Sequence, residues 1–286
     1  MKFIIFVLIA TVSVLAQDFI PHIDQFQPSV VDRMRDNKVK RMEVESHLTD
    51  ANFKPAFDKA NYVYSYDYNE MGFLLLADYY NLTEDIRIET SYAYTDNGTL
   101  ESVVQIETAN AASGNPFVTT TTLWATIDGG KIEYMTKYVS TGQDVNVNSS
   151  VTNKYIFRYD NNQLLTSILD SVLEQGSGAN TLYEFNMRGE VVLKSSDNFS
   201  TNYYYDDKGN IIQEIMVING SSYITSNKYD AEGNLVATTV DSDAYSFDWE
   251  VQNLKNGLVE NSYSVFSAKS DQQKTYEWNS YIYTYR

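Results

Sequence analysis

From residue 61 to residue 286 apolar and polar side chains alternate in short runs, broken by Asp, Asn and Gly. A two-residue period sends successive side chains to opposite faces and marks strands half buried on a sheet. Tyr203 and Tyr205 share one such face; beyond the next break Ile211, Ile212, Ile215 and Val217 resume an apolar strand. The segment before residue 61 reads differently. Gln25 to Asp36 carries Pro28 just ahead of Ser29-Val30-Val31-Asp32-Arg33-Met34-Arg35. Pro is tolerated where a helix starts, so one short helix is predicted here, covering the edge of the first strand. Val39 to Ser46 alternates as a strand that would pair with 62–68, and Tyr276 to Arg286 as a closing strand.

The breaks are alike. The cleanest is Tyr203-Tyr204-Tyr205-Asp206-Asp207-Lys208-Gly209-Asn210-Ile211, followed by Tyr229-Asp230-Ala231-Glu232-Gly233-Asn234-Leu235. Looser copies run from Tyr66-Asp67 to Gly72, from Tyr94 through Gly98 to Leu100, around Gly130, from Tyr159 to Leu164, around Gly189, and at Asn253 to Leu258. The Gly, or an Asn in its place, falls at 72, 98, 130, 162, 189, 209, 233 and 256, at intervals of 20 to 32 residues. Such a period signals a repeat architecture. Asp206 at the first place and Gly209 at the fourth suit a type I turn. The Asp carboxylate accepts from turn amides, and Gly supplies the positive φ that closes a three-residue hairpin. Asp67, Asp206 and Asp230, with Gly72, Gly98, Gly130, Gly189, Gly209 and Gly233, are therefore assigned to turns.

Tandem hairpins make a meander. Asn146 to Asn153, Gln175 to Asn180 and Asn219 to Ser222 are polar connections at its opposite side. A meander of roughly sixteen strands exceeds what an open sheet sustains without curling, splitting or closing. The predicted fold is all-β: one long, twisted or spiralling antiparallel sheet, or one rolled into an open barrel, with a single short N-terminal helix. Residues 1–16 are read as a signal peptide, 17–60 as the segment holding the helix and first strand, and 61–286 as the hairpin repeat domain.

The leader sets the compartment. Met1-Lys2 precedes an apolar run from Phe3 to Val14, with small residues at Val14 and Ala16. This is a secretory signal with cleavage after Ala16; the run is shorter than the ~18–20 residues of a spanning helix. The expected location is secreted, periplasmic or at the cell surface. The chain has no Cys, which excludes disulfides, thiol catalysis and thiolate metal sites. Its net charge of −17 arises wholly in residues 61–286, a field that repels nucleic acid and anionic membranes.

Tyr-x-Tyr-Asp-x-x-Gly-Asn-Ile/Leu, iterated, resembles the YD (Rhs-type) repeats of bacterial secreted and surface proteins. Residues 203–211 and 228–235 match that motif closely, and the others match loosely over most of 60–260. The resemblance implies a spiralling β-repeat exported protein. It does not extend to the toxin-enclosing members: the Arg after the turn Gly is replaced here by Asn, Glu, Lys or Thr, and there is no Asp-Pro-x-Gly closing motif. MORN-like repeats are a weaker match.

Little in the sequence carries chemistry. The two histidines, His22 and His47, lie outside the repeats and would have to supply any Ser-His-Asp or His-metal site. No nucleophile elbow, phosphate loop or dinucleotide fingerprint is present. A secreted carbohydrate-active hydrolase needs two well-placed carboxylates, but most Asp residues here already have turn roles. Calcium is the one cofactor to weigh: Asp241, Asp243, Asp248 and Glu250 are close in sequence without EF-hand spacing. Trp124, Trp249 and Trp278 are the binding candidates, since flat amphipathic rings stack on sugars; packing within the sheet is the competing role. A transmembrane barrel needs an unbroken lipid face, which Asn202, Gln213 and Glu214 interrupt. The expectation is a non-catalytic exported binding or scaffold module with a glycan or surface protein as partner. A carboxylate-pair hydrolase is the alternative.

Overall fold

The computed structural model describes residues 28–53, 60–109, 117–141, 150–162, 164–172, 181–270 and 272–286. The leader, His22 and the connections 146–149 and 175–180 lie outside these residues. Helix α1 (Pro28–Asp36) opens the described chain and leads into β1 (Val39–Thr49). Eight hairpins follow: β2 (Tyr62–Tyr68) with β3 (Leu74–Asn81), β4 (Ile86–Tyr94) with β5 (Leu100–Ala109), and β6 (Phe117–Asp128) with β7 (Lys131–Thr141). Next come β8 (Ser150–Tyr159) with β9 (Leu165–Val172), β10 (Thr181–Phe185) with β11 (Val191–Ser196), and β12 (Phe199–Tyr205) with β13 (Ile211–Ile218). The last are β14 (Ser221–Tyr229) with β15 (Leu235–Ser242), and β16 (Tyr245–Lys255) with β17 (Leu258–Ala268); β18 (Lys274–Tyr285) ends the chain. Residues 150–153, read as a connection, belong to β8.

Every strand pairs antiparallel with its neighbours in sequence, and β1 pairs with both β2 and β18. The eighteen strands therefore form a closed up-and-down barrel. The predicted meander is present, and of the shapes open to it the chain takes the closed one, because β18 returns to β1 over the register Val39↔Tyr285 to Thr49↔Tyr276. Closure removes both edges at once. The predicted pairing of the first strand is also present, from Arg41↔Asp67 to Ser46↔Tyr62.

Register settles which side chains face inward. Met42, Val44 and Ser46 stand opposite Tyr283, Tyr281 and Asn279 on one side and Tyr66, Tyr64 and Tyr62 on the other. Followed around the ring, this same face holds Leu74, Tyr92, Val103, Leu123, Met135, Tyr155 and Ile168, all buried. It is the interior. The bulge in most repeats, as between Asp67 and Tyr68 or Ala93 and Tyr94, keeps the residues flanking each turn on the inner side.

The repeat turns all lie on one rim. Helix α1 lies across that rim: Met34 and Val30 join the hydrophobic cluster of Tyr68, Leu74 and Leu258. The Asn37 side chain donates to the Asn256 carbonyl, and the β2–β3 turn approaches the helix so closely that a Cβ on Gly72 would sit 2.2 Å from the Val31 carbonyl oxygen. Eighteen strands is the size at which membrane barrels hold a water-filled channel; here a helix packs on the arc of the rim formed by the β2–β3 and β16–β17 turns.

Candidate functional site

The turns are built as the sequence implies. In the cleanest repeat the Gly209 amide donates to the Asp206 carbonyl at 3.1 Å and the Asp206 amide to the Asn210 carbonyl at 2.9 Å. One Asp206 carboxylate oxygen accepts from the amides of Lys208 and Asn210, both at 2.9 Å, and the other from the Asn210 side chain. Hydrogen bonds from Asn210 hold the Asp206 carboxyl below its ordinary pKa. At Asp230 a little burial works the other way, but the Asn234 side chain and backbone outweigh it. Gly98, Gly130, Gly189 and Gly233 take positive φ like Gly72 and Gly209. Asp67 stands elsewhere than expected: it lies within β2, opposite Leu76, and its carboxylate meets Arg41 at 3.2 Å on the outer wall. Asn69 starts that turn, accepting from the Met71 and Phe73 amides.

Five strand tyrosines, three of them from Tyr-Asp pairs, have a role that sequence reasoning missed. The Tyr94 hydroxyl donates to the Leu74 carbonyl, Tyr159 to Ile132, Tyr205 to Val191, Tyr229 to Ile211 and Tyr283 to Val259, at 2.7–3.0 Å. In every case the acceptor is the second residue beyond the turn Gly of the preceding hairpin. Each of these bonds stitches one hairpin, or β18 in the case of Tyr283, to the hairpin before it, and contributes about 1 kcal/mol net. Burial raises the pKa of all five hydroxyls, that of Tyr229 to about 12, so they remain donors. For four of the five, Tyr94, Tyr159, Tyr205 and Tyr229, the signal in the sequence was the place of Tyr immediately before the turn; Tyr283 lies within β18 and carries no such signal.

The three tryptophans do not converge. Trp249 is on the inner wall, opposite Ser264. Trp278 is on the outer wall beside His47, with ring centroids 5.8 Å apart. Trp124 is also on the outer wall, 51% exposed, opposite Ser102 and Thr136. His47 is covered on the outside of β1, with its Nε2 3.7 Å from Glu45.

The inner wall is not uniformly apolar. Ser46, Ser262, Asn279 and Glu277 are buried around the seam where β17, β18 and β1 meet. The Ser46 hydroxyl donates to Glu277, and burial pushes the Glu277 carboxyl up to about 8 against that bond. Its side chain is sealed, at 3% exposure, and no second carboxylate hydrogen-bonds to it among the described residues. On the far side of the ring Lys194 is buried with its ammonium 5.2 Å from the centre of the Tyr183 ring. Asp170 lies nearby; burial raises its pKa, while its bond from Asn153 and the charges of Lys137 and Lys194 lower it.

The acidic group weighed for calcium is spread out. Asp241 is paired with Lys269 at 2.7 Å, Asp248 and Glu250 stand along β16, and Glu250 accepts from the Tyr263 hydroxyl. Among the described residues no three His, Asp or Glu side chains come together to hold a metal ion.

Ion pairs interrupt the outer wall, with Asp78 and Glu89 opposite each other in mid-strand and Arg41, Asp67 and Arg87 nearer the strand ends. Arg87 reaches Asp78 at 2.8 Å and Glu89 at 3.3 Å, and Arg41 joins Asp67. The wall also varies in height, from twelve residues in β6 and β18 to five in β10 and six in β11. A lipid-facing barrel needs strands of about 9–11 residues and a continuous apolar band. No helix among the described residues is long and apolar enough to cross a membrane.

These features define the class: an all-β protein, a closed antiparallel meander barrel with one helix across its turn rim. No known protein family matches the chain, and no curated protein does. Solved structures do match. A porin-like protein from Bacteroides uniformis ATCC 8492 is 12% identical, with a TM-score of 0.40 over 86% of this chain and 98% of that one. A TcdB2-TccC3 complex is 11% identical, with a TM-score of 0.29 over 74% of this chain and 16% of that one. The same complex with Cdc42 gives 11% and 0.28, covering 82% of this chain and 15% of that one.

Proposed function

We propose that this chain is an exported, non-catalytic YD-repeat barrel that works in water, at or beyond the cell surface, as a binding or scaffold module for carbohydrate. The observation that carries the reading is the ion pairing of the outer wall, Arg87 with Asp78 and Glu89 and Arg41 with Asp67, in which Asp78 and Glu89 stand opposite each other in mid-strand. A charged wall is stable against water and costly against lipid. The leader supports export. The turn carboxylates support a non-catalytic role, since Asp160, Asp206 and Asp230 spend their oxygens on their own backbone. Tyrosine rings and an exposed tryptophan support a sugar ligand.

A glycan array run beside a reducing-sugar release assay tests this. The purified chain from residue 17 is expected to stay monodisperse without detergent and to bind glycans without releasing sugar. Turnover lost on replacing one carboxylate would establish the hydrolase instead. A chain that dissolves only in detergent micelles would establish a membrane barrel.

A further inference from the structure

We propose that the outer wall over β5 to β8, centred on Trp124, is a platform for a neutral polysaccharide chain; this rests on the carbohydrate-binding reading above. Pairing places Ser102, Trp124, Thr136 and Lys154 in one row across four strands. Tyr134 and Tyr138 flank Thr136 on the same face of β7. Trp124 therefore has the Thr136 hydroxyl directly opposite it on one side, the buried Ser102 on the other, and a tyrosine ring at each diagonal. Diagonal neighbours lie about 7–8 Å apart, and Tyr134 and Tyr138 about 13 Å from one another along the strand. That line of rings accommodates several linked sugars.

The indole is 51% exposed in the middle of a strand, where an isolated barrel gains nothing from showing it. The Lys154 ammonium sits 3.7 Å from the centre of the Tyr134 ring, which fixes the ring and leaves donor N–H groups at the platform's edge. Thr122 and Thr136 fill the spaces between rings with hydroxyls, suited to exchanging hydrogen bonds with sugar hydroxyls.

Charge selects the occupant. The chain carries a net −17, and ion pairs hold the outer wall at β1 to β4. The rows through Ser102–Lys154, Thr126–Ile156 and Val104–Val151 carry Lys154 as their single charge. An anionic polymer is repelled by the molecule's field, and so is a second copy of the chain. A neutral polysaccharide meets neither penalty, and the rings and hydroxyls match its two surfaces.

The test is affinity electrophoresis of the full chain from residue 17 in gels containing soluble neutral polysaccharides (mannan, laminarin, xyloglucan, starch), with alginate and heparin as anionic controls. The wild type is expected to be retarded by at least one neutral polymer and by neither anionic one. Trp124→Ala should weaken that retardation roughly tenfold or more, and Thr136→Glu, which puts a charge between the rings, should do the same. Trp278→Ala should leave it unchanged, and circular dichroism should show all three variants folded. Retardation that survives both Trp124→Ala and Thr136→Glu overturns the platform and leaves carbohydrate binding standing. A wild type retarded by no neutral polymer overturns both. A dimer in sedimentation velocity that Trp124→Ala dissociates assigns the patch to a second copy and overturns the proposal.

Discussion

Glu277 shows how far a side chain's place in the ring governs its chemistry. It faces inward at the seam, sealed among Ser46, Ser262 and Asn279, and holds its proton to about pH 8. The unfolded chain gives that proton up near pH 4.5. Folding stability due to this group is therefore complete in acid, falls as pH rises between those values, and is flat above them. Glu277→Gln should abolish the fall: urea unfolding at pH 5 and pH 9 should show the variant gaining a few kcal/mol over wild type at the higher pH and little at the lower. A wild type equally stable at both would contradict this. None of it was legible in the sequence, where Glu277 is one carboxylate among many. Alternation assigns it to the face of Asn279 and Tyr281, but which face is the interior depends on closure. The tyrosines were legible only as ring-bearing strand residues, because their hydroxyl bonds run to a neighbouring hairpin and need its register.

Hairpins were the most legible elements. Tyr205-Asp206 and Gly209 announce strand, turn and bulge together, each a local requirement with one cheap solution. Looser copies hid two differences. Asp128 pairs with Lys131 and Lys255 with Leu258, so those turns are two-residue loops with positive φ at Gly129-Gly130 and Asn256-Gly257. The β2–β3 turn starts at Asn69, not Asp67, because an acidic residue followed by a Tyr looks the same within a strand as before a turn. That turn also carries the helix. Gly72 and Gly189 have similar φ, +85° and +78°, but only Gly72 touches α1. Gly189→Ala should cost about 1–2 kcal/mol from the left-handed backbone. Gly72→Ala should cost clearly more and should raise hydrogen exchange in α1, a difference that thermal melts and exchange of the two variants will reveal.

For the whole molecule, the sequence specified a long meander and left its closure open. Whether a ring shuts depends on how coil and bulges accumulate over eighteen strands, and no local motif encodes that sum. The decisive pairing, β1 with β18, joins strands more than two hundred residues apart. Removing β18 by truncation after Ala268 should leave β1 and β17 each with one unpaired edge. Loss of cooperative thermal unfolding by circular dichroism, together with aggregation seen by light scattering, is expected. A monomeric, cooperatively melting truncation would show that the remaining strands hold without the ring.

That long-range join also orders events in the life of the chain. As the polypeptide leaves a ribosome, β1 emerges early and β18, its last neighbour, more than two hundred residues later. Until then every growing intermediate displays two bare edges, the waiting flank of β1 and the newest hairpin. Slow, non-local β assembly is the kind most prone to wrong pairing. A chaperone that shields one strand edge until the other arrives would serve this architecture.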